Sequence, residues 1–350
     1  MKTSGERFKG FDGLRTFAIW MVVAGHIGAL ANTAGGIGNK IFFTLCGFFA
    51  CYSMAHVSDG KDILRFYRKK IVRIIPAFWI VLLVIWKMIP GFFSIRDAAS
   101  DNSLILNMLF IKGWGHLWFT QQIMLMYLCA PFIHLILCGI ERLYRKIIPH
   151  AESIYPCITA AILIAAALLE KRFFTADLFR MAGDGSHAQF QIWMFLFGYA
   201  AAVLCRGWSG QSGRGEVRRQ VSPLIVNGFM AAFFGCLLLG VIPSFRTAAP
   251  AFAAVFDHGM LRTVLVCIAT LLLMMQQDSF AARFLSTPFF HFFSELSYEI
   301  YLIHFFFLGM FRTGQNLHDL LSNMLISVAL AFLLHTGIRT FSKKKAQSRV

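Results

Sequence analysis

The sequence predicts an all-α polytopic membrane protein of about ten transmembrane helices with both termini in the cytoplasm. Three observations predict it. Hydrophobic residues make up 57% of the chain and charged residues 14%, against about 25% charged in soluble domains, and the mean hydropathy is +0.64. The apolar residues gather into runs of roughly 20, the length a helix needs to cross about 30 Å of hydrocarbon. The basic residues, finally, concentrate in alternate connections between those runs.

The spans read in order as 11–30, 37–56, 71–92, 117–137, 154–170, 188–205, 222–243, 260–276, 288–311 and 319–340. The first follows the basic stretch MKTSGERFKG without a small-residue cleavage site, so no cleavable signal is expected. The third opens FYRKKIVRIIPAFW, where Pro76 removes a backbone donor and can kink the helix. The fifth, CITAAILIAAALLE, is short and Ala-rich, and the eighth carries Arg262 near one end. Long outer loops are expected over 93–116 and 171–187, and a Gly-rich inner linker over RGWSGQSGRGEVRRQ. No repeat or separate soluble domain is visible, so residues 1–350 read as one transmembrane domain ending in a short basic tail, 341–350.

Orientation follows from the basic residues. With the N-terminus inside, about 21 Lys and Arg face the cytoplasm and about 7 the outside. This asymmetry accounts for the net charge of +16, so no nucleic-acid partner is expected and membrane lipids are. The eight cysteines fall mostly inside apolar runs, at Cys46, Cys51, Cys129, Cys205, Cys236 and Cys267, with no CxxC pair or zinc spacing. They read as small apolar side chains, and no metal site is expected.

Titratable groups in hydrocarbon are costly and mark functional positions. In the first span, Arg15 and His26 are eleven residues apart, almost three turns, and so share one face about 16 Å apart along the axis. Asp12 precedes Arg15 by three residues, placed to cap the helix and pair with it. Arg15 could equally snorkel to the interface, and His26 could make an ordinary interhelical hydrogen bond. At the third-span entrance, Arg68, Lys70 and Arg73 form a cationic cluster suited to phosphates. Positive-inside bias explains Arg68, but it explains Arg73 poorly, because that residue lies within the apolar run. The fourth span begins with His116, Trp118, Gln121 and Gln122 at its outer end. Trp118 suits an interfacial anchor, whereas two buried amides need partners. In ELSYEIYLIH of the ninth span, Ser297, Tyr301 and His304 share a stripe. His304 lies about as deep as His26, so the two imidazoles could face one cavity. Glu295 and Glu299 should meet a wet cleft or basic partners rather than lipid.

Taken in order, FDGLR…H in the first span, GFFACY in the second, YRKKIVRIIPAFW in the third, HLWF…Y in the fourth and LSYEIYLIH in the ninth resemble the bacterial membrane-bound acyltransferase 3 family. The match is to its subgroup with an uncharged LWF…LY pattern. The resemblance implies an O-acyltransferase of the bacterial cytoplasmic membrane. Its donor would be cytoplasmic acyl-CoA, acetyl-CoA by default, and its acceptor a hydroxyl of an extracytoplasmic glycan or lipid-linked sugar. The family's first-helix Arg and His fall on Arg15 and His26. Where members carry Arg-x-x-Arg, this chain has Lys70-x-x-Arg73, which keeps the charge but loses one bidentate fork. Where many carry an acidic residue after the fourth-span Trp, it has Ile123 and Met124.

On this reading His26 is the general base or a transient acyl carrier. Arg15, Arg68, Lys70 and Arg73 bind the CoA phosphates, while Trp118, Gln121, Gln122, Tyr301 and His304 line the acceptor side. No metal or permanently bound cofactor is required. The rival readings are an exporter of a glycan or small anion, whose buried charges line a path, and a ligand-reading membrane sensor. Thioester-dependent release of CoA separates the enzyme from both.

Overall fold

Two glycines bracket the first helix. Gly10 (φ 91°) precedes it and Gly28 (φ 83°) ends it, both in the left-handed region that residues with a Cβ avoid. Helix α1 is therefore Phe11–Ile27, shorter than the 11–30 expected from apolar character, and His26 lies in its last turn.

The computed structural model describes residues 8–31, 33–55, 57, 59–89, 103–113, 115–148, 152–173, 192–210, 221–307 and 316–347. Most of the loops expected over 93–116 and 171–187, and most of the inner linker, lie outside these residues. After α1 the helices are α2 (Thr33–Met54), α3 (Gly60–Met88), α4 (Leu104–Met108), α5 (Trp118–Ile147), α6 (Tyr155–Phe173), α7 (Ile192–Gly210) and α8 (Pro223–Leu239). There follow α9 (Pro243–Ala248), α10 (Pro250–Phe256), α11 (Gly259–Met275), α12 (Phe280–Phe284), α13 (Pro288–Ile303) and α14 (Asn316–Gln347). Local chemistry sets several boundaries. The Asp59 carboxylate accepts from the Asp62 N–H at 2.9 Å, starting α3 eleven residues before its apolar run. Ser222 caps α8, and Pro residues open α8, α10 and α13.

Each predicted span coincides with a helix, but the helices differ in kind. Four are long and apolar enough to cross a membrane alone: Thr33–Met54, Gly60–Met88, Gly115–Ile147 and Leu317–Phe341. The α10–α11 pair, bent by 70° at a short break, makes a fifth if counted as one span. The chain is an all-α membrane protein. Apolar side chains of α3, α5, α8 and α14 (Val84, Phe132, Ile136, Leu224, Leu333) point outward, as lipid-facing surfaces do. Helices α1 and α13, by contrast, are shorter and wrapped by other helices. Of the cysteines, Cys51, Cys205 and Cys267 are buried, whereas Cys157 and Cys236 are exposed.

Small residues let the inner helices touch backbone to backbone. Gly38 of α2 lies under the Ala18 carbonyl and Val22 of α1, and Gly47 of α2 meets the Phe195 carbonyl of α7. Reciprocally, Gly198 of α7 meets the Thr44 carbonyl of α2. Membrane helices without a hydrophobic drive to associate gain their packing energy from such contacts. A Cβ at Gly47 or Gly198 has a rigid carbonyl in its way. Gly198→Val should therefore lower thermal stability in detergent by the equivalent of about 1–3 kcal/mol. Gly47→Val should do the same, and the double variant should cost less than the two losses summed, because the first already separates α2 from α7.

Candidate active site

Helices α1 and α13 run parallel, and their polar side chains meet at both ends. At the start, the Asp12 carboxylate accepts from Ser294 Oγ at 2.9 Å and lies 3.3 Å from His291 Nδ1. Next, Thr16 Oγ1 donates to the Phe290 carbonyl at 2.8 Å. At the far end, His26 Nδ1 and His304 Nε2 are 2.8 Å apart. The expected Asp12–Arg15 pair does not form. Gly10 is the N-cap residue, and α13 supplies Asp12 with better-placed partners than its own helix does.

The hydrogen bonds of His304 determine both tautomers. Its ring is fully buried where α13 tightens into a 3-10 turn, His304–Phe307. Nδ1 lies 2.8 Å from the Tyr301 carbonyl and 3.3 Å from that of Ile300. Carbonyls only accept, so His304 Nδ1 carries the hydrogen and its Nε2 is an acceptor when the ring is neutral. Hence His26 Nδ1 donates to His304, and the lone pair of neutral His26 is on Nε2. Asn323 of α14 donates to the His304 carbonyl at 3.0 Å, and Ser327 in turn donates to Asn323 at 3.2 Å. The dyad is thus held by three helices. His26 is part-exposed.

Two further rings crowd the dyad. His116 centres 5.6 Å from His304 and stacks on Phe305 at 4.5 Å. Its Nε2 lies 3.3 Å from the Leu302 carbonyl, while Nδ1 is buried with no partner among the described residues. Tyr301 centres 6.0 Å from His304 and 5.8 Å from His116, and its buried hydroxyl has no hydrogen-bond partner among the described residues. The sequence places His116 at the outer mouth without a role, and only the fold brings it to His304.

The expected cationic cluster divides in two. Arg65, Arg68, Lys69 and Arg73 of α3 line a cleft of about 640 Å³ with Glu295, Glu299, His335 and Arg339. Lys70 lies some 130° around α3 from the centre of that arc, and it faces the interior. Its ammonium lies 4.2 Å from the Tyr127 ring centroid and 5.3 Å from that of Phe66. Tyr127 donates to Cys46 at 3.1 Å. The Arg15 guanidinium lies 4.9 Å from the Phe49 ring. Arg15 and Lys70 therefore both lie against aromatic rings, whereas Arg68 and Arg73 face the cleft.

Arg73 is already engaged. It reaches Glu299 at 3.2 Å and the Glu295 carbonyl at 2.7 Å, and His335 Nδ1 lies 3.0 Å from the same Glu299 oxygen. Glu299 is 2% exposed, so Arg73 and His335 make its burial tolerable. This acid is about 7.5 Å below His304 along α13. Gln121 and Gln122 are buried, and Gln121 donates to the Ile111 carbonyl at 2.7 Å, tying down the segment before α5. Trp118 packs 6.0 Å from Phe43 of α2. The fold thus gathers His26, Tyr301 and His116 around His304, gives Gln121 a structural partner, and sets Trp118 against α2. Asn323, Ser327 and His335 were not singled out from the sequence. Their signal was present nonetheless, as polar residues four apart and a lone imidazole in an apolar helix.

The site is thus a partly accessible imidazole dyad inside an all-helical membrane bundle. The family model described as an acyltransferase domain, acyltransferase 3, matches residues 8–338, and the chain belongs to that family. It is similar to the O-acetyltransferase OatA of Staphylococcus aureus, 22% identical over 143 residues, which cover 40% of this chain and 24% of that protein. It is also similar to the provisionally named O-acetyltransferase SACOL0978 of Staphylococcus aureus, 20% identical over 318 residues, 85% of this chain and 50% of that protein. The chain thus matches between a quarter and a half of the length of these relatives. No solved structure matches it.

Two measurements check the geometry. In histidine-selective nitrogen-15 spectra above neutral pH, both His26 and His304 should report the Nδ1–H tautomer, and an Nε2–H signal from His304 would contradict the assigned bond. Arg73→Met should lower stability by about 2 kcal/mol by stranding Glu299, and adding Glu299→Gln should restore most of the loss.

Proposed function

We propose that this membrane O-acyltransferase moves an acyl group, acetyl by default, from cytoplasmic acyl-CoA to a hydroxyl of an extracytoplasmic or lipid-linked glycan. The observation that carries the proposal is the tautomer arrangement of the dyad, which leaves the basic nitrogen of His26 on the side away from His304. In this mechanism His26 Nε2 takes the proton of the acceptor hydroxyl as its oxygen attacks the thioester carbonyl. The tetrahedral intermediate then expels CoA thiolate, which recovers that proton from His26. His304 orients the ring and accepts from the cationic form, as the third group of a catalytic triad does.

Arg15 lies one pantetheine arm below, about 16 Å down α1 from His26, and with Lys70 of α3 it binds donor phosphates. Arg68, with its neighbours in the cleft, meets the nucleotide end. Arg73 is a structural cation before it is a ligand, since Glu299 holds it. Tyr301 and His116 position the acceptor beside His304, with Trp118 and Gln122 further along the same route. Both termini face the cytoplasm on this reading, and the ten helices that carry predicted spans cross or embed in the cytoplasmic membrane of a bacterium.

A second reading, anion or glycan export, draws support from one feature, the bent α10–α11 pair, because broken helices line transport paths. Free-thiol release from acetyl-CoA by the reconstituted protein separates the two. The acyltransferase releases CoA when a glycan acceptor is supplied, whereas an exporter releases none. His26→Ala should reduce that release by about 10²–10⁴-fold with insertion and folding unchanged. His304→Ala should lower kcat by a smaller factor at similar KM for donor. Retained turnover in His26→Ala would remove this residue from the chemistry.

A further inference from the structure

At the corner where α2 packs on the first turn of α11, the cations Lys40 and Arg262 come together. Arg262, in the first turn of α11, is 6% exposed. Its Nη2 donates to the Asp257 carbonyl at 2.7 Å, while Nε and Nη1 are buried with no acceptor among the described residues. Lys40 of α2 abuts the same turn. A methyl group placed on Gly259 would lie 3.3 Å from Lys40 Cε and 3.8 Å from its Nζ. The ammonium makes a long hydrogen bond, 3.4 Å, to the Gly36 carbonyl of its own helix. Asp257 offsets part of this charge, but Arg246 holds both its oxygens, at 2.7 and 3.0 Å.

The bend between α10 and α11 adds to the imbalance. Residue His258 precedes α11 and gives no side-chain cap, so the first N–H groups of a 17-residue helix end at this corner with their partial positive charge. Gly38 packs under Ala18 and Val22, midway along α1, so the backbone of Lys40 is within the bundle, and its side chain reaches back to Gly36 in the first turn of α2. A buried guanidinium cannot escape its cost by losing a proton, and two unmatched nitrogens on it, Nε and Nη1, are expensive even with the Phe256 ring 5.5 Å from Cζ. An acceptor with negative charge resolves every one of these features. It offers two oxygens to the guanidinium fork, charge to Lys40, and acceptors to the α11 amides.

We propose that this corner is a binding site for one oxyanion, a phosphate or carboxylate group carried either by a lipid headgroup or by a soluble molecule. The site is built by α2 and α11, whereas the dyad is built by α1 and α13, and it stands whether or not acyl transfer is the reaction.

The test uses the purified full chain in a non-ionic detergent, compared with Arg262→Met and Lys40→Met. Sodium phosphate or acetate should raise the unfolding temperature of the unaltered protein in a concentration-dependent way beyond chloride at equal ionic strength. Each variant should bind about ten- to a hundredfold more weakly. With no oxyanion present, Arg262→Met should be at least as stable as the parent, because an uncompensated charge has gone; a purely structural arginine predicts a loss instead. If the source is a lipid, phosphatidylglycerol should survive purification in native mass spectra of the parent and be lost from both variants, with little response to free phosphate or acetate. The proposal is overturned if neither free ion nor phosphatidylglycerol stabilises the parent, or if Lys40→Met responds as the parent does. Should Arg262→Met fail to fold, the response of Lys40→Met alone decides between these outcomes.

Discussion

The hydrogen bond between His26 and His304 is the constraint on which the site depends. Two neutral imidazoles can bond only if one donates and the other accepts, and the backbone settles which does which. The Tyr301 and Ile300 carbonyls claim the single hydrogen of His304, so His26 must donate and the basicity of the pair passes to His26 Nε2. A tightened helix end on α13 thereby decides which nitrogen of the α1 imidazole carries the lone pair. Everything that holds α1 parallel to α13, from Asp12–Ser294 at one end to Asn323 beneath His304 at the other, serves that selection.

Charge is distributed by the same logic of partners. A carboxylate in a bundle must be matched, and Glu299 takes Arg73 and His335 to itself. A residue that looks like a ligand for phosphate is thus first the price of burying an acid. Lys70 and Arg15, turned the other way, lie against aromatic faces, where cation–π attraction replaces part of the lost hydration. Three cationic regions result, in the cleft, beneath the dyad and at the corner of α11, and they differ in how completely protein groups neutralise them.

The helices divide along a related line. Among those with outward apolar side chains, α3, α5 and α14 are long enough to match the membrane alone. Those that carry the dyad, α1 and α13, are short, 17 and 16 residues, because other helices rather than lipid cover them. Gly28 ends α1 one residue after Ile27, and the 3-10 turn ends α13 at His304. Both imidazoles thereby come to helix ends, where backbone groups have spare hydrogen-bonding capacity.

Hydropathy and positive-inside asymmetry, both properties of composition along a line, made the helical class and the positions of most helices readable from the sequence. Helical periodicity made it readable that Arg15 and His26 share a face, and that His304 lies at similar depth. Periodicity is local, however, and says nothing of which faces meet. That His304 accepts from His26, that His116 joins them from a distant turn, and that Asp12 prefers α13 to Arg15 all depend on contacts between residues far apart in the chain. So do the division of Lys70 from Arg73 and the meeting of Lys40 with Arg262. One-dimensional pattern determined the helices and their candidate residues; three-dimensional packing decided each side chain's partner, because a buried polar group is defined by what it bonds to and not by where it falls in the chain.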